Sequence, residues 1–131
     1  MNTPFPKRIM HVEDDALVQK IARIALTQGS KHTLLSCSSG KDAIFKAAAF
    51  GPDLILMDYY MPDMDGPDVL KILQRTKALQ TVPVIFITGR EDRQTFRNLG
   101  NAAIIGSIEK PFNPAQLSQK IESLWKEHFT D

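Results

Sequence analysis

The chain has 131 residues, 43% of them hydrophobic and 24% charged, with a formal net charge of +1. That is the size and composition of one folded domain rather than of a disordered chain, and a chain this long buries roughly two-thirds of its unfolded surface without needing staples. The balanced charge excludes a broad basic field for nucleic acid, Cys37 alone excludes an intramolecular disulfide or a cysteine-rich metal site, and no run approaches the ~20 apolar residues of a membrane span. The opening Met1-Asn2-Thr3-Pro4-Phe5-Pro6-Lys7-Arg8 lacks the apolar stretch of a signal peptide, so a cytoplasmic location is expected.

In chain order, a short apolar run at 9–12 reads as a strand. It is followed by a helical segment with Leu17, Ile21, Ile24 and Ala25 on one face. Gly29 sits where that helix should stop. The run at 33–37 is the thinnest of the predicted strands, with only Leu34 and Leu35 strongly apolar. Ser39 can cap the next helix, striped by Ala43, Ile44, Ala47 and Ala48, and Gly51 can end it. Further runs at 54–57, 82–87 and 103–108 do not alternate with polar residues, which suggests strands buried on both faces of a parallel sheet. Between the last two runs, residues 91–99 predict a fourth helix with a sparse stripe of Phe96 and Leu99, ending at Gly100. Asn113-Pro114-Ala115-Gln116 places a capping residue before a proline at the first helical position. Leu117, Ile121, Leu124 and Trp125 then stripe a fifth helix. Prolines 52, 62, 67, 83 and 111 fall at element edges. The pattern is β-α repeated five times, an open doubly wound α/β domain filling the chain, with a core over about 8–125.

Ligands of such sheets bind beyond the carboxyl ends of the strands. Those ends present Glu13, Asp14 and Asp15 after the first strand, Asp58 after the third, Thr88 after the fourth and Lys110 after the fifth. Clustered carboxylates attract a hard cation, and Mg²⁺ takes a few oxygens while keeping waters. An aspartate can itself be a nucleophile that forms an aspartyl phosphate, with an ammonium and a hydroxyl holding the phosphoryl oxygens. Singly, each residue has a plainer role: Asp14 or Asp15 as a helix cap, Asp58 in a turn, Thr88 as a strand-end hydroxyl, Lys110 as a solvated cation. It is their convergence on one rim that favours chemistry.

These residues resemble the response regulator receiver family from about residue 8 to 125. The resemblance rests on Val12-Glu13-Asp14-Asp15, on Leu54-Ile55-Leu56-Met57-Asp58-Tyr59-Tyr60-Met61-Pro62 with Met64-Asp65-Gly66, on Phe86-Ile87-Thr88-Gly89, and on Lys110-Pro111-Phe112. It implies a flavodoxin-like (βα)5 sheet of strand order 2-1-3-4-5 and a cis Lys110-Pro111 bond. It further implies Asp58 as phosphoacceptor, Mg²⁺ held by Glu13, Asp14, Asp58 and the backbone carbonyl of Tyr60, and Thr88 and Lys110 as phosphoryl-binding groups. Tyr60 and Arg90 stand where the family tunes its chemistry. One position departs: Ser107, after Gly106, replaces the usual aromatic three residues before the lysine, so readout through that ring is absent. A shift of residues 89–92, or another ring such as Phe96, is the expected substitute.

The function so implied is a two-component phosphorelay receiver. It takes phosphate from a sensor histidine kinase or phosphotransfer protein and signals to a downstream protein through the face of the fourth predicted helix, fifth strand and fifth predicted helix. It acts as a monomer or weak dimer, without direct nucleic-acid or membrane contact, and it promotes only its own phosphorylation and dephosphorylation. Two alternatives stand beside it: a metal-dependent phosphatase or phosphotransferase for outside substrates, which lacks a cap domain here, and a phosphorylation-independent binding module.

Overall fold

A computed structural model describes residues 5–89 and 100–130. Five parallel strands, β1 (Arg8–Val12), β2 (Thr33–Cys37), β3 (Leu54–Asp58), β4 (Val84–Thr88) and β5 (Ile104–Glu109), form one sheet in the order β2-β1-β3-β4-β5. The thin second run does form a strand, because its backbone pairs with β1 from Arg8↔Thr33 to Val12↔Cys37 and its position at the sheet edge demands less burial. Every residue of β3 and β4 is buried, which explains their unbroken apolar sequences.

The α-helices among the described residues are α1 (Ala16–Thr27), α2 (Gly40–Phe50), α3 (Gly66–Leu73) and α4 (Pro114–His128), the last being the fifth predicted helix. The helix predicted at 91–99, including Phe96, lies outside the described residues, as does Arg90. Strand pleating divides the core. Met10, Val12, Ile55, Met57, Val84 and Phe86 pack with α2 and α3 on one face, while Ile9, Leu54, Leu56, Ile85 and Ile87 pack with α1 and α4 on the other. No helix among the described residues is long and apolar enough to cross a membrane.

Three sequence expectations change in ways that matter for the rim. First, β3 and β4 each run one residue beyond their apolar stretches. The Tyr59 N–H donates to the Ile87 carbonyl at 3.0 Å and the Lys110 N–H to the Thr88 carbonyl at 2.7 Å, so Asp58 and Thr88 are the last residues of strands rather than the first of loops. Second, β4 starts at Val84 rather than at 82, since Pro83 has no N–H to donate to the ladder. Third, the stripe read on α1 only borders its buried face: Ala25 packs at the edge of the core and Ile21 is partly buried. Leu17 and Ile24 are 66% and 57% exposed, whereas Ala22 and Leu26 are fully buried. An alanine at the centre of the packed face contributes little to an apolar stripe, so the bulkier residues beside it dominate the pattern.

Candidate functional site

The carboxyl end of β1 opens the site. Asp15 caps α1, its Oδ1 accepting the N–H groups of Leu17 at 2.8 Å and Val18 at 3.2 Å. This resolves the choice between the two aspartates: Asp15 is the cap and Asp14, exposed, is left facing the rim. Glu13 is held differently. Its N–H donates to the Cys37 carbonyl at 2.9 Å, its carbonyl accepts from the Gln19 side chain, and its Oε2 accepts from the Asp15 N–H at 3.1 Å. Gln19 was not singled out from the sequence, because a glutamine on a helix carries no signal until its partner is known.

Asp58 enters from β3, next to β1 in the sheet, and is only 6% exposed. One oxygen atom from each of Glu13, Asp14 and Asp58 can be chosen so that all three lie within 4.8 Å of one another. Lys110, arriving after β5, joins the first and last of these carboxylates. Its Nζ donates to Asp58 Oδ2 at 3.1 Å and stands 3.2 Å from Glu13 Oε1. The Lys110-Pro111 bond is cis, as the resemblance implied. Thr88 is buried at the end of β4, directly after Ile87, the register partner of Asp58. Its Oγ1 makes no hydrogen bond among the described residues. Tyr60 is half exposed, with its ring edge-on to Tyr59 at 5.0 Å. Ser107 pairs with Phe86 in the β4–β5 register.

The electrostatics follow from this crowding. Burial, followed by the Asp58 charge, raises the pKa of Glu13 above its ordinary value. Burial likewise raises that of Asp58, although the Lys110 hydrogen bond and charge oppose it. Burial of the Lys110 ammonium works to lower its pKa, but the hydrogen bond and charge of Asp58, together with Glu13, outweigh it and the net shift is upward. Two residues back along β1, His11 is fully buried and neither ring nitrogen has a hydrogen-bond partner among the described residues. Burial, then the charges of Lys110 and Arg23, lowers its pKa to about 4.

The donor set suits a hard divalent cation. Three carboxylates converge with one lysine to balance them, and one buried oxygen, Thr88 Oγ1, has no hydrogen bond among the described residues. An unpaired buried polar group costs about 1–3 kcal/mol, so a hydroxyl in that state at the rim suits an incoming polar group. Oxygen donors of this kind match Mg²⁺ rather than a thiophilic metal.

Comparison with known proteins gives the same direction. The family model of the response regulator receiver domain matches residues 9–122. The polar-differentiation response regulator DivK of Brucella anthropi is 33% identical over 122 residues, which cover 91% of this chain and 96% of DivK. The probable C4-dicarboxylate response regulator DctR of Halalkalibacterium halodurans is 30% identical over 106 residues, 80% of this chain but 45% of that protein, so the chain spans less than half of this relative. Among solved structures, the chemotaxis response regulator CheY4 of Vibrio cholerae superimposes with a TM-score of 0.79 at 23% identity, over 90% of this chain and 98% of its own. A response regulator from Desulfuromonas acetoxidans gives a TM-score of 0.78 at 26% identity, over 92% and 98%. Because the family match takes in every strand end that carries the rim, the chain belongs to the response regulator receiver domains of two-component signalling.

Proposed function

We propose that Asp58 accepts a phosphoryl group from a histidine kinase or phosphotransfer protein, with Mg²⁺, and that the modified domain signals to a protein partner by a change of conformation. The observation that carries this reading is the convergence of buried Asp58 and Glu13 on Lys110, at 3.1 and 3.2 Å. An Asp58 oxygen attacks phosphorus, the bond from phosphorus to the donor breaks, and the donor leaves with that electron pair, giving an acyl phosphate. Asp58 must be ionised to attack. Burial opposes ionisation, and the Lys110 hydrogen bond favours it.

Glu13, Asp14, Asp58 and the Tyr60 carbonyl would hold the Mg²⁺, which when bound neutralises phosphoryl charge and orients the donor. Lys110 is placed to follow the charge as it moves from carboxylate to phosphoryl oxygens. Thr88 can offer its unpaired hydroxyl to one of those oxygens. Tyr60 stands at the exposed edge of the site and can limit the access of water to the acyl phosphate, a role that the resemblance also gives to Arg90.

Incubation with acetyl phosphate tests the reading. Mg²⁺-dependent addition of one phosphoryl group per chain is expected by intact mass, and Asp58→Asn should take up none. Multiple turnover of a separate phosphoester without stable labelling would instead favour an enzyme acting on outside substrates.

A further inference from the structure

The loop that follows Asp58 spans residues 59–65 and carries the Tyr60 carbonyl. Its two ends are joined, the Gly66 N–H donating to the Tyr59 carbonyl at 2.7 Å. Gly66 has no room for a side chain: a Cβ there would stand 2.8 Å from both the Asp58 carbonyl oxygen and the Phe86 ring. The far part of the loop is tied to a different element. The two carboxylate oxygens of Asp63 accept the N–H groups of Gly40 and Lys41, each at 3.2 Å. These are the first two amides of α2, which are otherwise without intrahelical partners. The third, from Asp42, is already satisfied by Ser39 Oγ at 3.0 Å, so α2 has its own cap and Asp63 is an addition from outside. Beside this tie Met64 packs on Gly40, where an added Cβ would stand 3.3 Å from the Met64 Cβ and Sδ.

We propose that Asp63 is a positioning residue for the phosphorylation site: by clamping the loop onto the α2 N-terminus it fixes the Tyr60 carbonyl relative to Glu13, Asp14 and Asp58. The inference rests on the functional reading above. A backbone carbonyl has no rotamer of its own, so it can serve as a ligand only as accurately as its loop is held. The clamp is electrostatically favourable, since a helix N-terminus attracts a carboxylate. Burial works to raise the Asp63 pKa, but the backbone N–H groups of Gly40, Lys41, Asp63 and Met64 together outweigh it and the net shift is downward, which favours the ionised clamp.

The rival explanation is that Asp63 merely stabilises α2, and Ser39 provides the control. Ser39→Ala removes a cap from the same helix end without touching the loop. By titration calorimetry with MgCl₂, Asp63→Ala should bind about tenfold more weakly, the usual scale for losing a group that orients a metal ligand. Asp63→Asn, which keeps one of the two acceptor oxygens and loses the charge, should fall between Asp63→Ala and the parent. Acetyl phosphate labelling of Asp63→Ala should be slow at limiting Mg²⁺ and return to the parent rate at saturating Mg²⁺. Ser39→Ala should lose stability but keep the parent affinity. Parent-like Mg²⁺ affinity in Asp63→Ala, or an equal loss in Ser39→Ala, would overturn the inference. A parent protein that neither binds Mg²⁺ nor labels would overturn the functional reading and this inference with it.

Discussion

At the scale of single residues the site is a compromise between burial and charge. Asp58 and Glu13 have pKa values raised in the fold, chiefly by burial. A group whose pKa is raised on folding binds its proton more tightly in the native state. Its favourable contribution is therefore complete below the ordinary carboxylate pKa and is lost as pH rises through the folded value. The fold should accordingly be less stable at neutral than at mildly acidic pH on account of these two groups. Asp58→Asn, neutral and nearly isosteric, should be more stable than the parent at neutral pH in urea denaturation, with a smaller loss across that interval. A less stable Asp58→Asn would mean that the Lys110 pair outweighs the burial cost.

Lys110 behaves in the opposite sense. Its raised pKa keeps it charged at neutral pH, and its contribution fades only as pH rises through that raised value. Lys110→Ala leaves two buried carboxylates facing each other and should cost about 1–3 kcal/mol, less than for a sealed ion pair because the lysine side chain is 32% exposed. Denaturation at neutral pH would measure this, and a neutral substitution would argue that the carboxylates are screened by water.

At the scale of elements, the strands and caps were legible because their signals are local. Unbroken apolar runs marked β3 and β4, and Ser39 and Asn113 cap α2 and α4 as expected. The packed face of α1 was only partly legible. Its stripe follows Leu17 and Ile24, yet the sheet meets Ala22 and Leu26, and which face docks is decided by the shape of the sheet. Leu26→Ala should therefore cost about 2–5 kcal/mol, whereas Leu17→Ser and Ile24→Ser should each stay within about 0.5 kcal/mol of the parent. Thermal unfolding of the three variants checks this, and a large cost at Leu17 or Ile24 would contradict the observed orientation. Gly66→Ala meets the Asp58 carbonyl and the Phe86 ring at 2.8 Å, and overpacking of this kind should cost about 1–3 kcal/mol.

At the scale of the molecule, the sequence reached the fold and the rim by the same route: strands alternating with helices put every strand's carboxyl end on one side, so acids separated in sequence had to gather. What it could not supply was contact. Lys110 meets Glu13 across 97 positions, and Asp63 meets Gly40 across 23, distances over which no periodicity or capping rule operates. Beyond residue 89, the segment 89–92 and the helix at 91–99 expected to rearrange lie outside the described residues.

The central claim is that Asp58, and no other residue, becomes the acyl phosphate. Treatment with acetyl phosphate and Mg²⁺, followed by borohydride reduction and peptide mapping, tests it most directly, since reduction of an aspartyl phosphate leaves homoserine at the modified position. The expected result is conversion at residue 58 alone, dependent on Mg²⁺. Conversion at another carboxylate, or an unmodified residue 58 in a chain that carries phosphate, would contradict the account.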